Sequence, residues 1–140
     1  MKIQVYSNRK IKADYSKMCL NCLNIILRDN DEYIQKIEEY LSGTDCPCCI
    51  SFPTFLKNVC YDLKIYILIK KKMCETGVNI RSLETLAERK KNEISTALNN
   101  SVELLFESKE ELDDGDYLSR MNQIHKLNSL MTRIDEAHHR

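Results

Sequence analysis

The sequence predicts a mainly α-helical chain. A small metal-clipped module over residues 1–52 precedes a helical domain over residues 53–140, built from a central helix and a C-terminal antiparallel helical hairpin. Three observations point there. Turn formers are scarce, with 3 Gly and 2 Pro in 140 residues, while Leu, Ile, Lys and Glu abound, a composition that favours long helices over sheets. Apolar residues recur every three or four positions through the second half. The cysteines gather into two C-x-x-C pairs, Cys19/Cys22 and Cys46/Cys49, around a stretch that holds neither Cys nor His.

Taken in order, Lys2-Ile3-Gln4-Val5-Tyr6 alternates polar and apolar and predicts a short strand. Residues 7–17 are polar and basic and read as a loop or arm. After Cys22, residues 23–27 form an apolar run that suits a strand or a packed loop. Asn30 or Asp31 can cap a helix over about residues 32–41, with Tyr33, Ile34, Ile37, Tyr40 and Leu41 on one face. Gly43 suits the position just past that helix. Pro53 suits the first turn of a central helix that runs to about Cys74, and the wide apolar face from Phe55 to Ile69 predicts its burial. Ser82 can cap a third helix to about Leu112, whose stripe Lys90 interrupts. Asp113-Asp114-Gly115 signals a turn. A last helix follows over about residues 116–137, and the short link makes the last two an antiparallel hairpin able to form a homo-oligomer.

Net charge is zero, from 21 basic and 21 acidic residues, which argues against a nucleic-acid partner held by a cationic surface. The distribution is uneven. Residues 1–22 carry Lys2, Arg9, Lys10, Lys12 and Lys17 against Asp14, and residues 103–116 carry seven acids against Lys109. These are solvated faces, or a basic arm and an acidic turn that each meet a partner. Residues 1–18 lack the apolar core of a secretory signal, and no apolar run is long enough to span a bilayer. The expectation is an intracellular chain without a membrane, in which paired cysteines are metal ligands rather than disulfides.

Four thiolates in two knuckles suit one structural, tetrahedral Zn²⁺ held by Cys19, Cys22, Cys46 and Cys49 at about 2.3 Å. Cys48 competes with Cys49 for the fourth place, at the cost of a tighter C-x-C turn. The bland alternative is four small buried hydrophobes. A redox dithiol would sit in a βαβ setting that is missing here, and four Cys leave no open position for catalytic zinc. Cys60 and Cys74 read as core thiols. His125 is a boundary residue of the last helix, and His138-His139 an exposed tail. No Ser-His-Asp set, phosphate-cradling Gly loop or catalytic carboxylate pair can be assembled.

Cys19-x-x-Cys22 followed by Leu23, a short helix, and Cys46-Pro47-x-Cys49 resemble the first and last ligand pairs of RING/U-box-like zinc fingers. The middle Cys-x-His-x-x-Cys ligands have no counterpart, so the resemblance implies one zinc site. The position after the last ligand is Ile50, where a basic residue often assists ubiquitin transfer. With its length and helical C-terminal half, the chain is also similar to RING/U-box-like proteins of baculoviruses. That implies nucleocapsid assembly in the host nucleus, with viral capsid proteins as partners. The resulting expectation is a non-catalytic, zinc-binding interaction or assembly protein that presents Leu23, Ile25, Tyr33, Ile37 and Pro47 to a protein partner. The rivals are an E3 ubiquitin ligase that recruits an E2, and a nucleic-acid-binding zinc module that uses the basic arm.

Overall fold

The computed structural model describes residues 2–76 and 81–139, with side chains for residues 20–47, 49–76 and 81–137. The described chain is helical: α1 (Lys2–Ser42), α2 (Pro47–Thr76), α3 (Arg81–Glu107) and α4 (Asp114–His139). Pairings between distant residues fix their directions. Asp31 meets Lys64 and Glu38 meets Tyr61, so α1 and α2 are antiparallel. Asp62 meets Lys90, and Asp135 meets both Tyr66 and Lys91. The helices therefore run alternately up and down, with the α1–α2 and α3–α4 turns at one end. Helices α2 and α4 each contact the other three, whereas among the described residues α1 and α3 do not touch.

Each helix buries one seam. In α2 it is Leu56, Val59, Cys60, Leu63, Tyr66, Ile67 and Met73, and in α4 Ile124, Leu127, Met131 and Ile134. Helix α3 contributes Ala87, Ile94, Leu98 and Leu105. Lys90 spans the break in its stripe by pairing with Asp62 of α2 and Glu93 of its own helix. The burial expected of the central helix and the helical hairpin after it are both present.

The N-terminal third differs from the expectation. Residues 2–6 are helical rather than a strand, and residues 7–31 continue the same helix. The two pieces expected on either side of Asn30 are one element, so no RING-like module is shown. The reason lies in the core. Leu23, Ile26, Asn30, Ile34 and Ile37 are all buried at helical spacing, and Asn30 is part of that seam, not a cap. Its Nδ2 donates to the Cys60 carbonyl at 2.9 Å, while its Oδ1, equally buried, meets no partner among the described residues. A buried polar group of this kind fixes the register of two helices at some cost in stability. Asn30→Leu is therefore expected to leave stability unchanged or to raise it by about 1 kcal/mol, because it removes an orphaned acceptor. Urea unfolding checks this, and a loss above about 2 kcal/mol would show that the amide is net stabilising.

The second difference concerns which proline starts α2. Pro47 takes the first helical position, where the missing N–H costs nothing, and the Cys49 amide donates to the Cys46 carbonyl at 3.0 Å to close that turn. Pro53 lies inside the helix and forgoes one intrahelical bond. Helix α2 thus runs through the boundary expected between residues 52 and 53. At the other turn, Asp113 caps α4 by accepting from the Asp116 amide at 2.8 Å. Asp114 and Asp116 then lie at the positive end of the helix dipole.

Candidate functional site

The cysteine pairs do not converge. Cys22 is exposed on α1, beside Glu136 and Ala137 near the end of α4. Cys46 and Cys49 lie at the α1–α2 turn. About twenty helical residues separate Cys22 from that turn, roughly 30 Å at 1.5 Å per residue, against the few ångströms that a shared zinc requires. The side chains of Cys19 and Cys48 lie outside the described residues. Among the described residues no group of three or more His, Cys, Asp or Glu side chains could hold a metal ion. The clip read from spacing assumed a loop between the pairs, and a continuous helix occupies that place.

The residues expected to meet a partner divide. Leu23 and Ile37 are core residues of the bundle, and the Tyr33 hydroxyl donates to Gln123 of α4. Ile25 and Pro47 remain exposed. Cys60 is fully buried, and burial pushes its thiol pKa up to about 12, with the Lys126 ammonium opposing. Tyr33, partly buried and near Cys60, is likewise pushed up to about 12. Both stay protonated at neutral pH, so Cys60 is an inert core thiol. Cys74 packs against the core from α2 but is disulfide-bonded, not the free core thiol that the sequence suggests. The side chains of His138 and His139 lie outside the described residues.

One polar cluster is built into the bundle. The Tyr66 hydroxyl of α2 donates to Asp135 Oδ1 of α4 at 2.5 Å, and Lys91 of α3 pairs with Asp135 Oδ2 at 2.9 Å. Lys70, itself buried, sits with its Nζ 5.4 Å from the Tyr66 ring centroid. Burial, then the hydrogen bond to Asp135, pushes the Tyr66 hydroxyl far above its ordinary value, so no phenolate is available as a base. Desolvation lowers the Lys70 pKa. The cluster ties three helices together, and the grooves at the turn end do not reach it. Its chemistry is that of a clamp.

Among the described residues, the most exposed large apolar side chains lie at the turn end of the bundle. Two grooves of about 610 and 670 Å³ lie there and share Phe52, Leu112 and Arg120. The first runs between α2 and the end of α3, lined by Phe55, Leu104 and Leu105. The second runs between α1, α2 and α4, past Tyr40, Pro53 and Leu56. Phe52 and Phe55 place their ring centroids 6.1 Å apart, and the Arg120 guanidinium lies 5.1 Å from the Phe52 centroid. Leu104 and Phe106 are each 63% exposed and Leu118 is 59% exposed. All three fall within a few residues of the α3–α4 turn. Exposed large apolar side chains gathered at one end of a molecule mark a contact surface. Spacing could have exposed two of them, because Leu104 and Phe106 flank the buried Leu105 and cannot share its face.

No protein-family model, no curated protein and no solved structure matches the chain. Among the described residues no helix is long and apolar enough to cross a membrane.

Proposed function

We propose that the chain is a non-catalytic interaction or assembly module whose docking surface is the apolar trough at the turn end of the bundle. The observation that carries this reading is the exposure of Leu104 in the lining of a groove floored by Phe52 and Phe55, with Phe106 and Leu118 also exposed near the same turn. The core of the bundle is complete without them, so their exposure serves no folding purpose. The rim is acidic: Glu107, Glu110, Glu111, Asp113, Asp114 and Asp116 cluster about the α3–α4 turn, against Lys109 and the stacked Arg120. An apolar floor with an acidic rim suits an amphipathic helix with a basic polar face.

A fluorescently labelled amphipathic peptide with lysines on its polar face is the probe. Anisotropy titration is expected to saturate at one peptide per chain. Leu104→Asp should weaken binding by about tenfold or more, as for a residue central to an interface, with the helical circular-dichroism signal intact. Equal binding of a scrambled peptide, or unchanged affinity in the Leu104→Asp protein, would exclude the trough as the docking surface.

A further inference from the structure

We propose that the trough takes the basic N-terminal arm of α1 from a second copy of the chain, so that the protein assembles head to tail. This rests on the interaction reading above and names its partner. Three observations support it.

The first is length. Helix α1 has 41 residues, against 30 in α2 and 26 in α4. Because Asp29 pairs with Arg133 and Cys22 lies beside Ala137, α4 runs out opposite the residues just before Cys22. The start of α1 therefore continues past the end of α4.

The second is charge. That stretch carries Lys2, Arg9, Lys10, Lys12 and Lys17 against Asp14, and the rim of the trough carries the acidic excess of residues 103–116. Apolar Ile3, Ile11, Tyr15 and Met18 recur in the same stretch at helical spacing, which matches a groove with an apolar floor.

The third is placement. The arm belongs to the end of the bundle where α4 stops, whereas the trough lies at the α1–α2 and α3–α4 turns. A helix of 26 residues spans about 39 Å, so one chain cannot seat its own arm in its own trough. Two different surfaces at opposite ends make a heterologous contact, which propagates instead of closing as a two-fold dimer.

Analytical ultracentrifugation of the full chain tests this. The weight-average mass is expected to rise with concentration from 16.4 kDa through successive multiples, and to fall back to one chain at high salt, which screens exposed charge pairs. An arm variant (Lys10→Glu, Lys12→Glu, Lys17→Glu) and a rim variant (Glu107→Lys, Glu110→Lys, Glu111→Lys) should each be monomeric. All six positions are expected to tolerate the change, with circular dichroism checking the helix content. The deciding measurement mixes the two variants. The basic arm of the rim variant can seat on the intact acidic rim of the arm variant, and the reversed, acidic arm on the reversed, basic rim is charge-complementary too, so the mixture should associate although neither variant does alone. A wild-type protein that is monomeric at every concentration, an arm variant that associates like wild type, or a mixture that does not pair would each overturn the proposal. If the peptide binds the trough while the chain stays monomeric, the second-copy inference falls and the interaction reading stands.

Discussion

Leu63→Ala is expected to remove about 3 kcal/mol of stability and to lower the melting temperature by roughly 10 °C. Leu63 is wholly buried on α2, which, like α4, is in contact with all three other helices. Truncation deletes buried methyl groups and opens a cavity that the surrounding helices cannot close without moving together. Leu104→Ala, at 63% exposure, should change stability by no more than about 0.5 kcal/mol. Urea unfolding of both variants beside wild type measures the contrast. Equal effects at the two positions would show that α2 is not the hub of the core.

Asp135→Asn is expected to cost about 1–3 kcal/mol near neutral pH and to flatten the acid limb of the stability curve. Burial alone would raise the Asp135 pKa, but hydrogen bonds from Tyr66 and Lys91, with the Lys91 and Lys70 charges, outweigh it and hold the carboxyl below its ordinary 3.8. The folded protein thus binds this proton less readily than the unfolded chain. The contribution is complete above the unfolded value of about 3.8 and is lost as pH falls through the lower folded value. Asparagine still accepts from Tyr66 but takes from Lys91 and the buried Lys70 their main counter-charge, leaving Glu88 as a weaker one. Urea midpoints between pH 2 and 7 should converge for wild type and variant at the acid end and separate toward neutrality. Parallel curves would remove Asp135 from the acid response. On the alkaline side the two lysines oppose one another. Lys70, lowered by desolvation, adds stability as pH rises toward 10.5, and Lys91, raised chiefly by its bond to Asp135, loses its contribution above that value.

The C-terminal half was legible because its apolar spacing has no competing explanation. Tyr117, Met121, Ile124, Leu127, Met131 and Ile134 can form a single stripe only on a helix, and Asp113 with Gly115 leaves little choice about where the chain turns. The N-terminal third was misread for two local reasons. Asn30 and Asp31 are good capping residues, and Cys19/Cys22 with Cys46/Cys49 have metal-ligand spacing, so each signal cut the chain where a longer period runs through it. Leu23, Ile26, Asn30, Ile34 and Ile37 keep that period only if a polar residue is admitted to the seam. Nothing local says that Asn30 will find the Cys60 carbonyl thirty residues away. Likewise, two prolines compete to start α2, and both fit the rule for a first helical turn. The structure starts the helix at Pro47 and carries it through Pro53.

By itself the sequence determined that this protein is helical, that its central helix is buried, and that its last two helices form a hairpin with an acidic turn. These follow from short-range periodicity and composition, which act within a few turns of chain. Only the tertiary structure decided that α1 is continuous, that Cys22 stands some 30 Å from the Cys46 turn, and that Leu104, Phe106 and Leu118 stay outside the core. Those outcomes depend on which faces meet across the bundle, and a helix cannot specify its neighbours through its own spacing alone.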